Sequence, residues 1–425
     1  MQGASSPLLR SRRAKEIGRD AGFDLVRVAH AGEMHQERDR YLRWIAEGRH
    51  AEMQWITAER AQRATSPGSV APGTRSVISV AMAYRHGMAS AGPGSGRIAR
   101  YAWGADYHQV LGVRLTAMLE ELKSEFGGDH SWYVDTGPMM DKALAARSGL
   151  GWYGKNTNIL TEQFGSFVLL GEILTSLELE PDKPLTRDCG SCSLCTIACP
   201  TGALGPDYSI DSRKCISYLT IEHRGPIPRE LRSLMGAWVF GCDICQDVCP
   251  PSSIPYLKTA EERRQWAQDV RGYLTGSGRA NGAERPHGHE ERGQDLVVGP
   301  LFGEGVRPAV DLCWLLKLTQ EQYLEAFRGS SIRRAKVWML RRNAAIALGN
   351  TGGAGALAPL IDSMRGDEHP IVRGHAAWAA GRIVGRLHLD AAGQSLRQAL
   401  ECESDGSVRE EINEALKSLE AQAIA

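Results

Sequence analysis

Eight cysteines of this 425-residue chain lie in one short stretch, residues 189–249, and the other two lie far downstream. Residues 1–7 lack the apolar core of a secretory signal. Nowhere does the sequence reach the ~18 consecutive apolar residues that a membrane span needs. We therefore expect a cytoplasmic protein with no membrane partner. In that reducing compartment, clustered cysteines indicate metal ligation rather than disulfide bonding.

The spacing of these cysteines predicts two 4Fe–4S clusters. Residues 189–200 read Cys-x2-Cys-x2-Cys-x3-Cys-Pro, the run of bacterial ferredoxins, in which the fourth cysteine ligates the other cluster. A second run, residues 242–250, has only three cysteines, and Cys215 between the runs can supply the missing thiolate. Zinc is the alternative, because paired Cys-x2-Cys motifs also form tetrahedral sites. The two predicted ligand sets are Cys189, Cys192, Cys195 and Cys249, and Cys199, Cys215, Cys242 and Cys245.

Periodicity and composition predict an α+β chain of four regions. Residues 1–180 alternate helical and strand patterns and form an N-terminal α/β domain. Residues 181–260 form the ferredoxin-like module, and residues 261–307 a linker whose Gly-rich loop covers 273–296. The segments predicted within the first region are helices at 8–21 and 107–126 and strands at 24–29, 76–81, 132–134 and 167–170.

The last region, residues 308–425, is predicted to be entirely helical. One apolar stripe runs from Val337 to Leu348 and a second from Val372 to Ile383, with Pro370 at a first helical turn. Helix pairs at about forty-residue spacing are typical of HEAT-like repeats. A plain helical bundle is the alternative, and either architecture provides a scaffold or a binding surface.

Motifs on both sides of the clusters resemble one family, the epoxyqueuosine reductases, which complete queuosine in tRNA. Residues 100–108 (RYAWGADYH), 134–138 (VDTGP) and 149–157 (GLGWYGKNT) precede the clusters. The cluster region itself contributes residues 215–222 (CISYLTIE) and 241–250 (GCDICQDVCP). The resemblance extends from about residue 10 to at least residue 350.

This resemblance implies a cobalamin between the N-terminal domain and the ferredoxin-like module, and a HEAT-like domain that grips the tRNA anticodon arm. Removal of an epoxide oxygen takes two electrons, whereas iron–sulfur clusters deliver electrons singly, so a cofactor that accumulates them is required. A separate electron donor must supply the chain, which we expect to be monomeric. The matching segments contain these candidate cobalamin contacts: Asp135, Asn156, Ile159, Leu170, Ile216, Ser217, Cys242 and Asp243.

Asp135 is the candidate proton donor. A departing alkoxide needs a general acid, and Asp135 matches the family's proton-donor position in the Val-Asp-Thr-Gly-Pro motif. An acid at neutral pH needs a raised pKa, so we expect an apolar or cofactor-covered pocket. Alternatively, Asp135 only caps the turn at Gly137. The aspartic-protease reading of Asp-Thr-Gly fails because that chemistry needs a second copy of the motif.

The sequence departs from the family just after this motif. The family usually has Glu-Arg where this chain has Asp141 and Lys142. The charges are kept in type, so a salt link could persist with a different reach.

One local signal points to RNA. Lys+Arg and Asp+Glu both total 50, so a phosphate-binding surface must come from a local basic cluster. Residues 331–342 hold five basic side chains, although a solvated helix face would read the same way. The candidate tRNA contacts are Arg333, Arg334, Lys336, Arg341 and Arg342, with His223 and Arg224 as weaker ones.

Two other functions compete with the reductase. A cobalamin-dependent reductive dehalogenase shares the paired clusters and the corrinoid, but it would carry a twin-arginine export signal and would not need the helical tail. An iron–sulfur electron carrier would bind neither corrinoid nor tRNA.

Overall fold

The computed structural model describes residues 6–84, 93–254, 259–275, 308–388 and 390–424. The strands of the N-terminal domain are β1 (Leu25–His30), β2 (Ser76–Ala83), β3 (Ser95–Ile98), β4 (His130–Tyr133), β5 (Trp152–Tyr153), β6 (Ile159–Leu160) and β7 (Val168–Thr175). Four of them form a sheet of order β1-β2-β7-β4, in which every neighbouring pair is antiparallel. The predicted strands are confirmed, and their antiparallel pairing makes this domain α+β.

Helices cover both faces of this sheet. They are α1 (Pro7–Asp20), α2 (His35–Ala46), α3 (Ala58–Ala64), α4 (Pro67–Val70), α5 (Tyr107–Phe126) and α6 (Asp141–Arg147). The two predicted helices, α1 and α5, pack with the β2 residues Ile78 and Val80 on one face. On the other face α6 packs with Val77 and Ala81. Where α1 crosses β1, a Cβ on Gly18 would lie 2.8 Å from Val26, so glycine permits the close approach.

A second sheet joins the N-terminal domain, the ferredoxin-like module and the C-terminal region. Strand β8 (Trp238–Phe240) comes from the ferredoxin-like module and β9 (Ala309–Asp311) from the start of the C-terminal region. β3 lies between them, parallel to β8 and antiparallel to β9. The prediction that everything after residue 308 is helical is therefore wrong at β9.

The ferredoxin-like module consists of short helices around the cysteines. They are α7 (Leu194–Ala198), α8 (Ile216–Ile221), α9 (Arg229–Arg232), α10 (Ile244–Asp247), α11 (Pro250–Ser253) and α12 (Ala260–Thr275). The last of these corrects the predicted linker, because residues 261–275 are helical. Trp266 on α12 donates its indole N–H to the carbonyl of Asp247 at 3.0 Å, which ties α12 to the module. Residues 276–307, which include most of the predicted Gly-rich loop, lie outside the described residues.

The C-terminal region is a stack of antiparallel helices, as the apolar stripes predict. Its members are α13 (Leu312–Leu316), α14 (Gln320–Ala326), α15 (Val337–Thr351), α16 (Leu357–Gly366), α17 (Pro370–Leu387), α18 (Asp390–Cys402) and α19 (Gly406–Ile424). Helix α17 packs against α15, α16 and α19. Its predicted stripe, from Val372 to Ile383, is buried. Among the described helices, none combines the length and apolar character that crossing a lipid bilayer demands.

Arg342 joins the helical region to the ferredoxin-like module. It is fully buried and donates to the carbonyls of Leu219 at 2.7 Å and of His223 and Gly225 at 2.8 Å. The next residue, Asn343, bonds two further carbonyls of the module. The prediction that Arg342 contacts tRNA is therefore wrong: its charge is used to fix one domain against another.

Replacing Arg342 with methionine is expected to destabilise this junction. Three buried carbonyls would lose a charged donor, and each unsatisfied buried group costs about 1–3 kcal/mol. We expect the free energy of unfolding to fall by about 3 kcal/mol or more, measured as a lower melting temperature. Arg397→Met, at an exposed position of α18, is the matched control. Equal melting temperatures for the two variants would contradict the assigned role.

Candidate active site

Cysteines of the same predicted set interact electrostatically with one another. Burial raises the pKa of Cys249 to about 12, with smaller contributions from the thiols of Cys195 and Cys189 and an opposing one from hydrogen bonds to Ser252. In the same way, burial and then Cys215 and Cys199 hold the pKa of Cys245 well above its usual value. Cys245 also interacts with Cys195, so the two sets adjoin each other.

This donor set fits iron–sulfur clusters. Buried thiols that raise one another's pKa need positive charge before they ionise, and ferric and ferrous iron supply it. N–H and O–H groups near the sulfurs tune such clusters. The backbone N–H of Lys155 donates to Cys189 Sγ at 3.4 Å, and the Thr201 hydroxyl lies 3.6 Å from Cys199 Sγ.

Asp135 stands at the centre of a polar group at the end of β4. Its backbone has φ +49°, the left-handed conformation that residues other than glycine seldom adopt. The Tyr107 hydroxyl donates to Asp135 Oδ2 at 2.7 Å, and His108 Nε2 lies 3.4 Å from the same oxygen. The other ring nitrogen of His108 lies 2.8 Å from Asp106 Oδ1. Helix α5 therefore supplies two partners for the carboxylate from its first turn.

The charge state of this group differs from the sequence prediction. Burial raises the pKa of Asp135, but hydrogen bonds from His108 and Tyr107 outweigh burial and leave the pKa below its usual value. The expected raised pKa is therefore wrong for this structure. Burial lowers the pKa of His108, yet its bonds to Asp106 and Asp135 prevail and raise it to about 9. At neutral pH the proton resides on His108, next to an ionised Asp135.

Asp135 lies in a recess. Water reaches 61% of its side chain, although enough protein surrounds it that burial is the largest influence on its pKa. The Lys142 side chain likewise reaches solvent, but the protein packed around its ammonium group lowers its pKa by desolvation. The charge on Lys142 interacts with Asp135 on one side and with the Cys245 and Cys215 thiols on the other. The recess therefore lies between Asp135 and the second thiol set.

Most of the other predicted cobalamin contacts are buried. Asn156 and Ile159 are buried, and the Asn156 amide donates to the carbonyl of Cys245 at 3.4 Å. Asp243 is also buried, with its carboxylate bound to Arg100 at 2.9 Å, so its side chain serves an internal ion pair. Of the remaining predicted contacts, one is buried, Ile216. The other three are half-buried: Leu170, Ser217 and Cys242.

The described residues also line a large cavity. It has a volume of about 1130 Å³ and lies between α2 and α6 of the N-terminal domain and residues 184–210 of the module. That volume exceeds the ~300–1,000 Å³ of ordinary small-molecule pockets. None of the eight predicted contacts lines this cavity, but Met140 and Thr157 do, next in sequence to Asp141 and Asn156. The cavity therefore has room for a large ligand, but its lining includes neither Asp135 nor a cysteine of the second thiol set.

The predicted basic residues divide into exposed and internal ones. Arg333, Arg334 and Lys336 are exposed. Arg334 bonds Glu222 at 2.6 Å, lies 5.1 Å over the ring of Trp55, and interacts with the charge of Asp135. Of these three exposed side chains, Arg334 thus lies near the recess.

The other basic candidates are less available. Arg341 is 12% exposed and pairs with Asp367 and Glu368. His223 is 14% exposed and pairs with Glu52, whereas Arg224 is 41% exposed. Arg224 therefore joins the exposed group, and the geometry does not support Arg341 or His223 as RNA contacts.

Sequence reasoning missed Tyr107 and His108. Both lie in the motif of residues 100–108 that marks the family, but no spacing rule links residue 107 to residue 135. The signal that could have found them is the N-terminus of α5: Asp106 caps it by accepting from the His108 N–H. Side chains in a first turn point away from the helix body and can meet a neighbouring loop.

Family models match three parts of the chain. A 4Fe–4S double cluster binding domain matches residues 188–252, a model described as "Epoxyqueuosine reductase QueG, DUF1730" matches residues 64–136, and HEAT repeats match residues 329–417. The predictions of a double-cluster module and of HEAT-like repeats are thereby confirmed.

Curated relatives and solved structures agree with these models. The epoxyqueuosine reductase of Escherichia coli K12 is 33% identical over 88% of this chain and 90% of its own length, and that of Pseudomonas aeruginosa is 34% identical over 87% and 93%. A crystal structure of an epoxyqueuosine reductase with an epoxyqueuosine-modified tRNA-Tyr stem loop superposes with TM-score 0.79 at 30% identity, covering 96% of this chain and 98% of that one. The chain belongs to the epoxyqueuosine reductase family of oxidoreductases.

Proposed function

We propose that this chain reduces epoxyqueuosine to queuosine in tRNA, with Asp135 as the proton donor. The observation that carries the proposal is the position of Lys142. Its charge interacts both with Asp135 and with the Cys245 and Cys215 thiols of the second set. A substrate placed there would have a proton source on one side and a source of electrons on the other. The family relative that contains a modified stem loop supports tRNA as the substrate.

The residues that would hold the cofactors follow from the same geometry. Each thiol set would hold one 4Fe–4S cluster, and the recess at Asp135 would hold a cobalamin. When bound, these groups supply and accumulate the two electrons that removal of an epoxide oxygen requires. Asn156, Ile159 and Ile216 would pack against the corrinoid, and a contact from Asp243 would come from its backbone.

Tyr107 and His108 keep Asp135 oriented and supplied with a proton. The Tyr107 hydroxyl fixes Oδ2, the oxygen that faces His108. Because the pKa of His108 is about 9, its imidazolium holds the proton that Asp135 lacks at neutral pH. Displacement of water by substrate and cofactor would further desolvate the carboxylate and favour transfer of this proton to it. Asp135 then donates to the departing oxygen, and the second proton of the product water must come from solvent.

The rate of conversion is expected to fall as pH rises through about 9. The folded-state pKa of His108 is about 9, above its ordinary value of 6.5, so the imidazolium and its ion pairs persist at neutral pH and are lost as pH rises through about 9. His108→Gln removes this titration, so its rate should be low and flat across that range. The measurement is single-turnover rate against pH. A wild-type profile that stays level to pH 10 would contradict the role of His108.

Arg333, Lys336 and Arg224 would contact the tRNA backbone, with Arg334 at the mouth of the recess. All four side chains are exposed, and the charge of Arg334 interacts with that of Asp135. Phosphate neutralisation by such residues releases counterions and makes affinity depend on salt. The match to HEAT repeats supports a binding surface here.

The double variant Arg333→Ala with Lys336→Ala should bind tRNA about 10-fold more weakly. Two lost phosphate contacts should also reduce the slope of log affinity against log salt by about 1.5. Filter binding over a range of salt concentrations measures both. Arg397→Ala, an exposed arginine on α18, is the control and should change neither. An unchanged salt slope in the double variant would place the RNA elsewhere.

The proposed reaction is tested with tRNA that carries the epoxide. Anaerobically prepared protein loaded with iron and cobalamin is reduced, mixed with that tRNA, and the nucleosides are analysed by mass spectrometry. We expect queuosine to replace epoxyqueuosine. Fully loaded protein that leaves the epoxide intact would refute the proposed reaction. A dehalogenase would instead release halide from an aryl halide, and an electron carrier would convert neither substrate.

A further inference from the structure

Glu172 is an ionisable residue that is buried in the protein interior. It lies on β7, its side chain is completely buried, and it faces the side of the sheet that α6 covers. Its neighbours across the sheet are Ser79 on β2 and Tyr133 on β4. Among the described residues, neither of its carboxylate oxygens receives a hydrogen bond from an N–H or O–H group.

Asp141 stands beside Glu172 at the start of α6. Asp141 Oδ2 accepts the backbone N–H of Asp135 at 3.1 Å, while Oδ1 is buried and, in the described part of the chain, has no donor either. Lys142 does not take up this charge, because its ammonium donates to the carbonyl of Thr157 and to Asn158 Oδ1. The charged groups that face the pair are therefore Asp135 and the more distant Lys142.

Two buried carboxyl groups that face each other cannot both stay ionised without a cation. One proton between them removes the repulsion and forms a hydrogen bond that joins two of the three orphaned oxygens. The titration behaviour agrees: burial raises the pKa of Asp141 to about 6, and burial and then Asp141 raise that of Glu172 well above its usual value. This arrangement also corrects the expected salt link, since Asp141 pairs with Glu172 and not with Lys142.

We propose that Glu172 is a positioning residue that shares one proton with Asp141 and thereby holds the Asp135 turn in its working conformation. The proton keeps Asp141 Oδ1 occupied by Glu172 and leaves Oδ2 free to accept from the Asp135 backbone. That bond holds Asp135 in a left-handed conformation that it would otherwise seldom adopt. The inference rests on the proposed role of Asp135 and adds to it a device that orients the proton donor.

Two substitutions separate a shared proton from simple packing. Glu172→Met keeps the volume and removes the donor, whereas Glu172→Gln keeps a donor, its amide N–H, that does not titrate. With E172M we expect kcat for epoxide reduction to fall about 10-fold or more, because a small displacement of a catalytic group is costly, while KM for tRNA is unchanged. E172Q should recover most of that loss. E172M with wild-type kcat, or E172Q as impaired as E172M, would overturn the inference.

A spectroscopic readout does not depend on the reaction. Infrared spectra of the wild-type holoprotein should show a carboxylic-acid C=O band that persists at pH 8, above the ordinary pKa of either residue, and that is absent from E172Q. If wild-type protein shows no such band, the shared proton does not exist. If the band is present but the tRNA epoxide is not converted, the proposed reaction fails while the carboxyl pair stands. Iron content and corrinoid binding, equal in all three proteins, confirm that the variants fold.

Discussion

Asp135→Asn should lower the rate of epoxide reduction about 100-fold or more, since general acid catalysis contributes 10²–10⁴-fold. Asparagine is nearly the same shape and tolerates a left-handed backbone, so the turn at φ +49° should persist. The amide can still accept from Tyr107, but it cannot deliver a proton to a departing alkoxide. Single-turnover kinetics with anaerobically loaded protein give the rate.

Two kinds of control show whether the loss of rate in Asp135→Asn is specific to proton donation. Iron content, cobalamin content and tRNA affinity of Asp135→Asn should equal those of the wild type. Asp129→Asn, at an exposed aspartate of the same domain, should convert the epoxide at the wild-type rate. An undiminished rate for Asp135→Asn would mean that Asp135 only shapes the turn.

Cys215→Ala should abolish activity and remove one cluster. Cys215 lies outside both cysteine runs, yet its thiol interacts with those of Cys199, Cys242 and Cys245. Without it one cubane has three protein ligands, so iron should fall from about eight to about four atoms per chain. Electron transfer to the recess would then stop, because this cluster is the one beside Lys142.

Cys402→Ala is the matched control for this substitution. Cys402 is an exposed thiol on α18, so its loss should leave iron content and activity unchanged. Cys249→Ala should remove the other cluster, and the electron paramagnetic resonance spectra of the two single-cluster proteins should differ. If Cys215→Ala keeps about eight iron atoms, the pairing of thiols across the two runs is wrong.

The sequence predicted features that depend on local periodicity or spacing. The apolar stripe of α5, the buried strand β2 and the cysteine runs each encode their structure within about twenty residues. Their bounds agree with prediction to within a few residues, and the double-cluster and HEAT matches confirm the two modules.

Features that depend on contacts between distant segments escaped prediction. A basic cluster in a sequence gives no sign of which side chains point inward, so it predicts Arg342 as an RNA contact. The structure instead pairs Arg342 with backbone carbonyls that lie more than a hundred residues away in the sequence. The short strand β9 exists only because β3 offers it an edge. The lowered pKa of Asp135 follows from His108, whose proximity no sequence rule supplies.

The same reasoning applies to the carboxyl pair. An isolated glutamate in the pattern Leu-Leu-Gly-Glu-Ile-Leu, residues 169–174, predicts only that one strand face is polar. The fold shows that face to be buried under α6 with a second carboxyl opposite. A buried charge of this kind is expected where function, rather than stability, determines the residue.

The central claim is that two iron–sulfur clusters and a corrinoid meet beside Asp135. Metal analysis of protein prepared without oxygen, before and after incubation with cobalamin, tests it most directly. We predict about eight iron atoms per chain, no zinc, and one tightly bound cobalt after incubation. Zinc in place of iron, or iron-loaded protein that takes up no cobalamin, would contradict the account.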